Sequence, residues 1–274
     1  MIARRHIFCY YQRMNLFNFD PASFLSFTLT FMRISLILFL LPFFGGENIP
    51  AQVKAALCLV LTLALWPANA VQGIAFPAGP FNLALLLFGE AVLGLGLGLM
   101  VQFVFAGMQL GGQIIGFQMG FSMISLMDPS SNQQMVITSF LLHSIGLCIF
   151  LLLDGHLLLV KALVSSFSLV EPGHLLVEER AMRDMIRLAA GMFTLALKIA
   201  GPIVTCLFMV ELALAMMARV APQMNLMVLG FPVKIGVGFF FFGVMFSLIG
   251  LYLNDFIRGI SPMLNNFMRS VGGG

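Results

Sequence analysis

The chain has 274 residues, 60% of them hydrophobic and only 9% charged, with a mean hydropathy of +1.03 and a formal net charge of +3. Soluble domains carry roughly 25% charged residues, so these values exclude a water-soluble globular protein and point to a polytopic membrane protein. The lack of any basic block argues against a nucleic-acid partner.

The first 13 residues, MIARRHIFCYYQR, carry Arg4, Arg5 and Arg13 but lead to no small-residue cleavage site. They are expected to be an upstream-start extension ahead of Met14, or a tail, so that residues 1–20 stand outside the folded domain. Six segments come near the ~20 apolar residues that a spanning helix needs. The first covers 21–44, with Asp20 as N-cap and Pro21 at the first helical position. The second covers 51–71. The third, 81–107, contains Glu90. The fourth, 129–167, is long enough to break near Asp154-Gly155. The fifth, 188–220, contains Lys198, Pro202 and Glu211, and the sixth, 231–256, carries Lys234 near its start. The expected class is therefore all-α: about six long apolar helices in one domain, 21–256, followed by a tail over 257–274. The four cysteines (Cys9, Cys58, Cys148, Cys206) lack metal-ligand spacing and read as small hydrophobes.

Lys and Arg near segment ends set orientation. With the N-terminus inside, the inner side holds Arg4, Arg5, Arg13, Lys161, Arg180, Arg183, Arg187, Arg258 and Arg269, against Lys54, Arg219 and Lys234 outside. That balance places both termini inside and makes EPGHLLVEERAMRDMIR (171–187) a water-facing connector with a short amphipathic helix.

Arg33, Glu90, Asp154, His156, Lys198 and Glu211 fall within or at the ends of apolar runs. A charge at the bilayer centre costs at least ~2.5 kcal/mol, so these groups should face protein, a wet cavity or one another. Pairing of Arg33 with Glu90 or Glu211, and of Lys198 with Asp154, is open to them. Buried ion pairs fixing helix register and a proton or ion pathway are the two roles that follow. Asp154 with His156 offers too few ligands for a metal, and no catalytic or nucleotide-binding signature appears. No cofactor and no enzymatic activity are expected.

The stretch GGQIIGFQMGFSMISLMDPSSNQQ (111–134) fits neither lipid nor water. Gly112, Gly116 and Gly120 recur at four-residue spacing, as do Gly107 and Gly111, and i, i+4 residues share a helix face. Such a bare groove lets another backbone approach closely. Met119, Met123 and Met127 make a second row beside it, and Met is soft enough to seal around irregular objects. The expectation is a short hairpin inserted between the third and fourth helices, with Gly111, Gly112, Gly116, Phe117, Met119, Gly120, Phe121, Met123 and Met127 forming a deformable plug. Asp128 and Pro129 then cap and restart a helix. Tight helix packing alone would also produce the glycine row.

Four stretches carry a family resemblance: RISLILFLLPFFGGENIPAQVKAALCLVLTLALWP (33–67), the stretch 111–134, LLDGHLLLVKALVSSF (152–167), and KIAGPIVTCLFMVELALAMMARVAPQMNLMVLGFPVKI (198–235). ARVAPQMN and GFPVKI are the most specific, because they join charge and proline in an apolar context. Together they resemble the FliR family of the flagellar type III export gate, and the corresponding injectisome subunit is similar. The resemblance implies a channel complex in the bacterial inner membrane, within the flagellar basal body. Its partners would be FliP-like and FliQ-like subunits and an FlhB-like protein, and its substrates unfolded flagellar proteins. It also implies that the loop at 111–134 reaches into the channel and helps close it. Partner subunits would shield the helices, so that not every apolar segment crosses lipid. A small-solute or ion transporter using the intramembrane charges is the alternative, and it would show a midplane site at broken helices.

Overall fold

A computed structural model describes residues 21–42, 44, 49–67, 77, 79–121, 137–170, 179–221 and 226–272. Among these residues there are seven helices and no strand: α1 (Pro21–Leu40), α2 (Ala51–Leu65), α3 (Pro80–Met119), α4 (Ile137–Leu152), α5 (Gly155–Leu169), α6 (Glu179–Val220) and α7 (Leu226–Gly272). The expected N-cap Asp20 and the N-terminal extension lie outside the described residues. Four helices (α1, α3, α6, α7) are long and apolar enough to cross a membrane, or five spans if α4 and α5 count as one broken span. The expected six long spans are thus not what the described residues show, since α2 has only 15 helical residues.

α1 and α2 end short of their apolar runs, at Leu40 and Leu65, whereas α3, α6 and α7 extend beyond theirs. α3 does not stop at Gly107 but forms one 40-residue helix from Pro80 to Met119. Of the connector at 171–187, residues 171–178 lie outside the described residues, and 179–187 forms the first turns of the 42-residue α6 in place of a separate short helix. α7, 47 residues from Leu226 to Gly272, runs on past the expected domain end at 256. There Ile257, Ile260, Leu264, Phe267, Met268 and Val271 recur at helical spacing and are buried. At 1.5 Å per residue these helices reach roughly 60–70 Å, twice the ~30 Å hydrocarbon core.

The anticipated break at Asp154-Gly155 is present. α4 and α5 meet at 68°, with Asp154 in the left-handed region at φ 56°. Any side chain larger than hydrogen at Gly155 would strike the Phe150 ring, so the sharp turn and the glycine require each other.

α3 is the hub. α1 packs along its first half, where Gly94 and Gly98 admit Leu36 and Leu40; a Cβ on Gly94 would lie 2.9 Å from Leu36 Cβ. Further along, Gly107 and Gly111 face the α6 backbone at Met192 and Ala196, and Gly112 faces α4. Glycine costs roughly 0.5–1 kcal/mol per helical position relative to alanine. Here that cost is offset by backbone-to-backbone contact with three different neighbours. α6 and α7 wrap the outside, and their most apolar windows are only 22% and 17% buried. They keep Phe208, Leu212, Met216, Phe240, Val244 and Leu251 on the surface, a face suited to lipid or to other subunits.

Candidate functional site

The stem of the Gly/Met-rich segment is built from the ends of four helices. α3 terminates at Gly120, which adopts φ 92°. Its N–H donates to the Phe117 carbonyl at 3.1 Å and the Phe121 N–H to the Gly116 carbonyl at 3.0 Å. These are the two bonds of a Schellman stop, which needs a left-handed residue and therefore favours glycine. A Cβ on Gly120 would come within 2.6 Å of the Phe231 ring of α7. Met119 is fully buried and lies against Gly238. The rings of Phe121 and Phe239 meet edge-on at 6.4 Å.

Polar contacts lock the same corner. Gln118 Nε2 donates to Glu211 Oε2 at 3.1 Å, and Lys234 Nζ to Glu211 Oε1 at 2.7 Å, so α3, α6 and α7 share one carboxylate. On the opposite side, Thr138 Oγ1 donates to the Gly112 carbonyl at 2.7 Å and Ser139 Oγ to the Gln109 carbonyl at 2.9 Å. Both hydroxyls sit in the first turn of α4, where the chain returns. Segment 122–136 therefore leaves and re-enters between fixed points.

Of the expected plug residues, Gly111, Gly112, Gly116 and Met119 belong to the buried flank of α3. Phe117 is 57% exposed on its outer face, and Gly120 and Phe121 form the stop. A hairpin starting at Gly111 is thus corrected to a helix that persists to Met119, because the groove is filled by α4 and α6. Met123, Met127, Asp128 and Pro129 lie outside the described residues. Gln118, Thr138, Ser139, Phe231 and Phe239 were not singled out from the sequence. The Gly after a Met-terminated apolar run was the available signal for the stop.

The intramembrane charges separate into distinct groups. Arg33 is fully buried, and Glu90 is 1% exposed. Arg33 Nε and Nη2 clasp the two Glu90 carboxylate oxygens, the second at 2.9 Å. Its remaining donors reach the Ser166 carbonyl at 2.9 Å and the Val170 carbonyl at 3.2 Å, and its guanidinium stacks 4.5 Å from the Phe167 centroid. Every N–H of the fork is used, and carbonyls at the α5 terminus gain a cation. Of the two partners open to Arg33, Glu90 is the one chosen; Glu211 goes to Lys234. Lys198 is exposed on α6, and Asp154 and His156 are exposed at the bend; among the described residues no ion pair joins Lys198 to Asp154. Arg219 occupies the last turn of α6, where a cation complements the helix dipole.

Residues 24–260 match the model of the family described as bacterial export proteins, family 1. A flagellar biosynthetic protein FliR of Pectobacterium carotovorum subsp. carotovorum is 31% identical over 240 residues, covering 87% of this chain and 90% of its own length. FliR of Bacillus subtilis (strain 168) is 29% identical over 250 residues, covering 90% and 96%. FliR of Escherichia coli (strain K12) is 28% identical over 233 residues, covering 85% and 88%. The buried Arg33–Glu90 clasp and the braced end of α3 thus sit within the span of the match, and this chain belongs to the bacterial export proteins, family 1.

Proposed function

We propose that this chain is a subunit of the flagellar type III protein export gate in the bacterial inner membrane. It assembles with FliP-like and FliQ-like subunits and an FlhB-like protein to pass unfolded flagellar proteins. The match to flagellar biosynthetic proteins over most of the chain carries this reading. The broad apolar faces of α6 and α7 supply surface for such subunits.

Within that assembly, segment 122–136 helps close the channel. The support is mechanical. A closing segment needs anchors that do not yield when cargo pushes, and both ends of this one are clamped. Backbone contact and two hydroxyl bonds hold it on the α4 side. The helix stop and the shared Glu211 carboxylate hold it on the α6–α7 side. Met123, Met127 and Met135, with Asp128 the single charge between Phe121 and α4, then supply a soft, charge-poor filler.

Deleting 122–127, leaving the buried α3 residues intact, tests the closure. Assembly should survive while the membrane becomes leaky to ions. A membrane that stays tight with the channel assembled overturns the closing role. Loss of motility in a strain lacking the whole chain tests the export role separately. The transporter alternative has less support, because Arg33 and Glu90, the two charges fully buried among the described residues, consume one another's hydrogen-bonding capacity.

A further inference from the structure

Far from the stem, the start of α6 and the end of α7 enclose a cavity of about 480 Å³. Arg180, Arg183, Arg187 and Arg269 line it against one acid, Asp184, with Asn266 adding an amide. Arg183 lies 3.9 Å from Glu179 and Arg187 4.0 Å from Asp184, with arginine side chains 59% and 77% exposed. Those separations exceed hydrogen-bond length, so the two guanidinium groups hold forks not committed to these acids. The N-terminal end of a 42-residue helix adds partial positive charge beside them.

We propose that this cavity seats the phosphate headgroup of an anionic phospholipid. Arginine forks match phosphate oxygens in pairs, and basic pockets between membrane helices on the inner side bind such headgroups. What distinguishes a lipid from a free phosphate is the neighbouring surface. Met182, Ile186, Phe193 and Leu197 lie on one face of α6, next to the arginine face, and are 55–63% exposed. They run from the cavity toward the apolar middle of the helix. A ligand with an anionic head and acyl chains meets both surfaces at once. The sequence expectation that the C-terminus lies inside puts this end of α6 and α7 on the inner side.

The test uses the full-length chain in neutral detergent and titrates thermal stability with phosphatidylglycerol, phosphatidylcholine or glycerol 1-phosphate. Phosphatidylglycerol should stabilise wild type at lower concentration than the other two. Combining Arg183→Gln, Arg187→Gln and Arg269→Gln should weaken its apparent affinity by about tenfold or more, the loss of several charge-assisted contacts. Combining Lys161→Gln, Lys198→Gln and Arg258→Gln removes equal charge elsewhere and should leave the affinity unchanged. Equal responses to phosphatidylcholine, equal losses in the two triple variants, or no loss in the arginine variant each overturn the proposal. Glycerol 1-phosphate acting as strongly as the lipid overturns it in favour of a free-phosphate site. Displacement of the lipid by soluble poly-glutamate at lower concentration overturns it in favour of an acidic protein partner. Should the triple arginine variant misfold, the single Arg269→Gln, at an exposed position on α7, must still weaken binding of phosphatidylglycerol.

Discussion

Gly112→Ala probes how the returning helix is fixed to α3. A Cβ there would collide with Ser139 Cα and lie 2.8 Å from both Ser139 N and the Thr138 carbonyl oxygen. All three are backbone atoms, so no rotamer change relieves the clash and α4 must move outward. Overpacking of this kind costs ~1–3 kcal/mol. The movement also stretches the Thr138 and Ser139 bonds, at 2.7 and 2.9 Å, each worth ~0.5–1.5 kcal/mol. Alanine's better helix propensity returns up to ~1 kcal/mol. The balance is a loss of roughly 3 kcal/mol. Reversible unfolding in mixed SDS and neutral detergent measures it. Gly243→Ala is the control, because nothing lies within 4 Å of its added Cβ; it should be neutral or gain up to ~1 kcal/mol. If the two variants unfold alike, close backbone contact between α3 and α4 is refuted.

Glu90→Gln leaves a buried, uncompensated guanidinium and should cost ~3–5 kcal/mol, read as loss of folded yield. Replacing Arg33 and Glu90 together by leucine should recover much of that yield; a double variant as poor as the single one would contradict the pairing. Glu211→Gln removes a partly exposed pair and should change unfolding stability by no more than ~1 kcal/mol. It should nonetheless raise ion leak in assembled gates, and unchanged conductance would show that the α3 corner bears no load. At the α4–α5 bend, Asp154→Gly should be neutral or stabilising. Asp154→Val should destabilise by ~1–2 kcal/mol, since a β-branched residue resists the left-handed region; equal melting of the two would refute a φ-determined bend.

The membrane class, the break at Asp154 and the helical nature of the apolar segments were legible because hydropathy and local turn chemistry act over a few residues. Where helices end was not, wherever composition changed without a breaker. Gly107–Gly116 looks like a place for a helix to loosen, yet α4 and α6 press against Gly107, Gly111 and Gly112 and the helix continues unbroken. Residues 257–272 look like a tail until their apolar positions meet α3 and α5. Gly96, for example, receives the Phe267 ring.

The sequence by itself determined that a charge in the interior of an apolar run needs shielding, as Arg33 and Glu90 have and the exposed Asp154, His156 and Lys198 do not, since the transfer cost of a charge is a property of the side chain and its medium. Which partner shields which group depends on distances between helices far apart in the chain. Arg33 and Glu90 are 57 positions apart, and Arg33 and Val170 are 137 apart. Likewise the glycine spacing dictated a groove, because i, i+4 residues share a face whatever surrounds them. Only the tertiary structure decided what lies in that groove, because the approach of α4 and α6 is set by the packing of the whole bundle around α3.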